Sequence, residues 1–272
     1  MRSFLRGRSI GTTTGAGALN VIYGSAGGLT SANSQLWHQN STGVAEAIEA
    51  GDGFGAALAT GDLDGDGRAD LSVGVPSESA GATQDAGSVN VLLGSAAGLT
   101  STGNQLWSQN QPNVLDVGEV GDSFGAALAV ANLNGDASDD LAVGVPSESL
   151  GTVAGGAVTV LYGSGAGLNS TGNQLWSQDS AGVLDTAEAG DSFGASLGAG
   201  AFNGDAPDDL VVGTPAESVG SIANAGSVSV LYGAGAGLGS AGNQLWSQDT
   251  PNVGEAAETD DRFGTALGAG AR

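Results

Sequence analysis

The residues with the most explicit chemistry stand in one short stretch, Asp62-Leu63-Asp64-Gly65-Asp66-Gly67-Arg68-Ala69-Asp70. Asp62, Asp64, Asp66 and Asp70 fall at positions 1, 3, 5 and 9, and the Arg68 carbonyl falls at position 7. Oxygen ligands so spaced can wrap one hard cation, and the glycines between them allow the left-handed turns that aim those oxygens inward. Calcium suits such a loop, because it accepts about six to eight oxygens in loose geometry where magnesium demands a strict octahedron. An EF-hand opens the same way but requires a bidentate Glu at position 12, where this chain has Val73, and a helix on either side.

Two later stretches occupy the same place in a repeating pattern with fewer carboxylates. The second offers Asn132, Asn134, Asp136, the Ser138 carbonyl and Asp140. The third has Ala201 at position 1, leaving Asn203, Asp205, the Pro207 carbonyl and Asp209. Ala137 and Ala206 replace the second turn glycine. Falling ligand count ranks the three loops in chain order as metal sites. Asp, Asn and Gly are also ordinary hairpin-turn residues, so the weaker loops approach plain turns.

Other chemistry is sparse. His38 is the sole histidine and there is no cysteine, so Ser-His-Asp and Cys-His arrangements have no second member, and no catalytic residue and no cofactor other than calcium is expected. A glycosidase needs only two carboxylates. Asp122 and Asp191, however, sit in a recurrent Gly-Asp-Ser-Phe-Gly turn and are expected to be structural. Trp107 and its equivalents could stack on sugars, but an aromatic on the same strand of every repeat is expected to pack between sheets. Repetition itself argues against an active site, which is a single unrepeated constellation.

The elements that must position these loops follow from the period. Trp37, Trp107, Trp176 and Trp246 are spaced 70, 69 and 70 apart, and Phe54, Phe124, Phe193 and Phe263, each followed by Gly, repeat the same spacings. Within the second period four apolar segments alternate with turn-rich sequence: Phe124–Val130, Leu141–Pro146, Ala157–Tyr162 and Gln174–Gln178. Short β-branched and aromatic runs bounded by Gly, Asn, Asp and Ser clusters predict strands, four per repeat, in an antiparallel sheet. Leu141, Val143 and Val145 face one side and Ala142 and Gly144 the other, so both faces are predicted to be covered, with small residues where sheets converge. Frequent Gly and the lack of a 3.6-residue period exclude substantial helix.

In this order Phe54-Gly55, Asp62 to Asp70 and Leu71-Ser-Val-Gly-Val-Pro76 resemble the Phe-Gly/Gly-Ala-Pro (FG-GAP) repeat of the integrin α-subunit propeller, over essentially the whole chain. The resemblance implies an all-β propeller of four-stranded blades, with calcium in hairpin loops on one rim. Integrin-type propellers have seven blades, whereas this chain has about four repeats. Leu19–Gly24 aligns with Val89–Gly94, so the chain opens midway through a repeat and stops eight residues after Gly264. With residues 3–10 as a degenerate second strand, one blade is expected to be closed by both terminal segments. A single domain over 1–272 follows, closed as four blades, paired with a second copy as an eight-blade ring, or forming part of a longer propeller.

Composition narrows the partners. The chain has 29 acidic and six basic residues, all Arg, for a net charge of −23. That charge disfavours nucleic acid and anionic lipid and attracts cations. No run approaches a membrane span, and Met1-Arg2-Ser3-Phe4-Leu5-Arg6 lacks the apolar stretch of a signal peptide. The resemblance implies a non-enzymatic adhesion or protein-binding module outside the cell, with the ligand on the blade-end loops. A lectin-like propeller, or a non-catalytic part of a larger surface enzyme, are the alternatives.

Overall fold

The computed structural model describes residues 8–268 of the 272. The described chain contains strands and no helix. A two-stranded sheet, β1 (Leu19–Ser25) and β2 (Gly28–Trp37), comes first. Three four-stranded antiparallel sheets follow, each in plain chain order. The first is β3 (Ala57–Gly61), β4 (Asp70–Val75), β5 (Ser88–Ser95) and β6 (Gly98–Trp107). The second is β7 (Ala127–Ala131), β8 (Asp140–Val145), β9 (Ala157–Tyr162) and β10 (Asn169–Trp176). The third is β11 (Ser196–Gly200), β12 (Asp209–Thr214), β13 (Ser227–Ala234) and β14 (Gly237–Trp246).

The sheets stack face to face, with β3 against β7 and β7 against β11. Every residue of β4 and β8 is buried, as the two apolar faces of Leu141 to Val145 require. Leu141, Val143 and Val145 pack on Val89 and Val91 of the preceding sheet, while Ala142 joins Val158, Leu210 and Val212 toward the following one. The core is therefore divided into layers between sheets. Trp37, Trp107 and Trp176 each pack at the margin of one layer, the place expected for a packing aromatic, while Trp246 is partly exposed.

Gly144 shows why the crowded face takes small residues. A Cβ built there would fall well inside contact distance of the Gly194 carbonyl oxygen, and Gly74 stands in the same relation to Gly125. Only glycine lets consecutive sheets meet so closely.

Two expectations need correction, and a third lies partly outside the described residues. Phe124 and Gly125 precede β7 rather than belonging to it; Phe124 is fully buried and its N–H donates to the Ala86 carbonyl at 2.9 Å, forming a parallel bridge with Gly87. The fourth strand, expected at Gln174–Gln178, begins at Asn169 and ends at Trp176, because its polar outer edge carries no apolar alternation. Of the segment 3–10, residues 3–7 lie outside the described residues, and Ile10 makes only an isolated bridge with Thr13. Residues 263–268 form no strand; the Gly264 carbonyl accepts a bond from Ser196 Oγ at 2.5 Å, on the third sheet.

Candidate metal centres

Each predicted loop is the hairpin between the first two strands of a sheet. The first is closed by the pair Gly61 and Asp70, the second by Ala131 and Asp140, the third by Gly200 and Asp209. In the first loop one carboxylate oxygen each from Asp62, Asp64 and Asp66 lies within 4.8 Å of the others. Local hydrogen bonds hold them there. Asp62 Oδ1 accepts the Asp66 N–H at 2.9 Å and Oδ2 the Gly67 N–H at 2.8 Å; Asp64 Oδ1 accepts the Asp66 N–H at 3.1 Å; Asp66 Oδ1 accepts the Arg68 N–H at 2.9 Å. Arg68 Nη1 meets Asp66 Oδ2 at 2.7 Å, an exposed pair of small energetic weight. Carboxylate oxygens carry spare lone pairs beyond these bonds, so the donor set fits a hard cation.

Asp70 stands apart from that group. It is buried, and its two oxygens accept the Leu63 N–H at 2.9 Å and the Gly94 N–H at 2.7 Å, tying the loop to β5. Asp140 clasps Leu133 at 2.9 Å, Asn134 at 3.2 Å and Gly163 at 3.0 Å, and Asp209 clasps Phe202, Asn203 and Gly233. Burial raises the carboxyl pKa of Asp70 and takes that of Asp140 to about 7. The last acid of each motif thus fixes the loop's shape, a role its spacing did not disclose.

The later loops gather fewer charges. Asn132 Nδ2 donates to the Asp136 carbonyl at 2.8 Å, Asn134 Nδ2 to Asp136 Oδ2 at 3.1 Å, and the Ser138 N–H to Asp136 Oδ1 at 2.8 Å. In the third loop Asn203 Nδ2 donates to Asp205 Oδ2 at 2.8 Å, and Pro207 packs beside Gly135 of the second loop. Neighbouring loops are also joined by acids that sequence reasoning passed over. Asp139 Oδ2 accepts the Asp62 N–H at 2.8 Å, and Asp208 repeats the contact to Asn132 at 3.3 Å. The Asp-Asp pairs at 139–140 and 208–209 were the available signal.

A second set of acids gathers at the other ends of the strands. Glu49, Asp52 and Glu78 form one group, Glu119, Asp122 and Glu148 the next, and Glu188, Asp191 and Glu217 a third, each with three oxygens mutually within 4.8 Å. Asp122 and Asp191, expected to be turn residues only, do accept the N–H groups of Glu119 and Glu188, but they also belong to these groups. The recurrence of all three acids at the 69- to 70-residue period could have revealed them.

Comparison with known proteins bears on both arrangements. A family model described as FG-GAP repeat matches residues 54–92 and 124–161, spanning a Phe-Gly, a hairpin loop and the strands on either side in each case. The chain carries FG-GAP repeats. It is 32% identical over 163 residues to phosphatidylinositol-glycan-specific phospholipase D of Rattus norvegicus, covering 60% of this chain and 18% of that protein. It is 29% identical over 177 residues to integrin alpha-3 of Cricetulus griseus, covering 65% of this chain and 15% of that one. The chain thus spans less than a fifth of the length of these curated relatives. Among solved structures, Bacillus licheniformis rhamnogalacturonan lyase PL11 is similar at 10% identity and a TM-score of 0.41, over 87% of this chain and 43% of that one; so distant a likeness carries no argument.

Proposed function

We propose that this chain is a calcium-binding, propeller-type module that presents a recognition face to a protein ligand outside the cell. The observation that carries the reading is the convergence of Asp62, Asp64 and Asp66 within 4.8 Å in a chain with 29 acids and six arginines. Carboxylates so gathered keep lone pairs free for a cation, and oxygen-only ligands on a hairpin suit calcium. The stacked sheets, with Gly74 and Gly144 of the second strands against Gly125 and Gly194 just before the next sheet, support a propeller in which further blades complete a ring, by this chain or by a second copy. Likeness to part of an integrin α subunit supports adhesion by analogy. A single histidine and threefold repetition favour binding over catalysis.

Calorimetric titration of the whole chain with calcium tests the metal reading. Asp64→Asn/Asp66→Asn is expected to bind one calcium fewer than wild type and to lose part of the calcium-dependent rise in Tm; an unchanged count overturns the hairpin site. Light scattering separates a four-blade monomer from an eight-blade dimer. A glycan array and a cell-surface pulldown, each with calcium and with EDTA, address the ligand. Calcium-dependent capture of protein supports adhesion, saturable sugar binding assigns a lectin instead, and turnover of any substrate overturns both.

A further inference from the structure

The three acidic triads form at the joints between sheets, away from the hairpin loops. β4 runs from Asp70, beside the first hairpin loop, to Val75, and Glu78 lies just beyond its far end. Gln39 follows β2 of the preceding sheet, and its Nε2 donates to Glu78 Oε2; Gln109 and Glu148 form the same pair, as do Gln178 and Glu217 at 2.5 Å. Each joint therefore brings a glutamine from the end of one sheet's outermost strand onto the triad of the next.

Two observations at these joints are unexplained by protein contacts alone. First, Gln39, Gln109 and Gln178 are only 2%, 2% and 1% exposed, yet the Oε1 of each is buried with no hydrogen-bond partner. A buried acceptor left unpaired is costly, and here the cost recurs at three equivalent places. Second, no basic residue neutralises the triads: the ion pair found among the described residues is Arg68 with Asp66, on a hairpin loop.

We infer that each triad, with its glutamine, is a second class of calcium site, in which the cation staples one sheet to the next. The unused acceptor Oε1 sits on the same carboxamide whose Nε2 already meets the triad, and it would serve the cation as a neutral ligand beside three carboxylates. Oxygen-only ligands without histidine or cysteine select a hard cation over zinc or copper. Glu49, Glu119 and Glu188 are exposed, which leaves an entry path and room for waters to complete six to eight ligands. This inference stands apart from the hairpin reading, since the residues do not overlap.

The test compares the whole chain with Glu78→Gln/Glu148→Gln/Glu217→Gln, which keeps side-chain shape and removes repulsion, so it should fold. Calcium counted by equilibrium dialysis is expected to fall by three per chain in this variant, whereas Asp64→Asn/Asp66→Asn loses only the hairpin ion. Terbium supplies a second readout: Trp37, Trp107 and Trp176 stand two residues before the glutamines, so tryptophan-excited terbium emission should persist in the hairpin variant and vanish in the triad variant. In EDTA the triad variant should melt at or above wild type, and in millimolar calcium below it. An unchanged calcium count, or the same order of melting in both buffers, would overturn the inference and assign the triads to shared protons.

Discussion

Asp66 and Asp140 occupy the same kind of loop and do different work. Asp66 is exposed and organises a turn through Arg68 and its own neighbours. Asp140 is fully buried, and its oxygens satisfy the N–H groups of Leu133 and Gly163 in buried bonds and that of the half-buried Asn134. Losing the carboxylate leaves those donors unpaired, at about 1–3 kcal/mol for each one that stays dry. In EDTA, Asp140→Ala is therefore expected to lower the urea midpoint strongly and Asp66→Ala hardly at all. Equal midpoints would show that the clasp contributes nothing. Sequence spacing placed Asp70, Asp140 and Asp209 among the ligand candidates because the motif records an oxygen at position 9; which N–H groups that carboxylate also faces is not written in the spacing. The burial of that carboxylate comes from the third strand of the sheet, through Gly94 and Gly233 on it and Gly163 just past the end of β9.

Among the elements, the strands with two apolar faces were readable to within a residue. Leu141 to Val145 and Ala157 to Tyr162 carry enough β-branched side chains to define β8 and β9 without any partner being known. β6 and β14 were less legible. They begin at Gly98 and Gly237, run through Ser, Gly and Asn, and break register against their neighbours at Val91/Leu93 and Val230/Tyr232. Their pairing comes from the preceding strand and from the tight turn, not from their own side chains. Close sheet contact was also predicted from small residues, and Gly144 makes it testable. Gly144→Ala must push Gly194 and its sheet away and is expected to cost about 1–3 kcal/mol in chemical denaturation. Gly165→Ala is the control: an added Cβ there meets nothing within 4 Å, so stability should be nearly unchanged. A comparable loss in both would show that the sheet contact is not the cause, because the effect of Gly→Ala on the unfolded chain is stabilising.

For the whole molecule, the balance of charge sets how stability depends on pH when no calcium is present. Glu78 and Glu217 are raised to about 8, and Glu148 and Asp140 to about 7, chiefly by burial. In the unfolded chain the same groups ionise near the ordinary carboxylate values of about 4. Between those limits the folded chain holds protons that the unfolded chain has released, so unfolding liberates protons and the unfolding free energy falls as pH rises. Below about pH 4 both states are protonated, and this contribution levels off. Above about pH 8 both are ionised, and the loss is complete. General repulsion across a chain of net charge −23 acts in the same direction, since with no Lys and six Arg there is little positive charge to offset it. In EDTA at fixed ionic strength, the Tm is therefore expected to fall from pH 5 to pH 8.5, with the steepest loss between about pH 5 and 7 and a flattening as pH passes through the folded values of about 7 to 8. Scanning calorimetry across that range checks it. A Tm that rose through the window would mean that these buried carboxylates are stabilised as anions by the fold, the reverse of what their surroundings dictate.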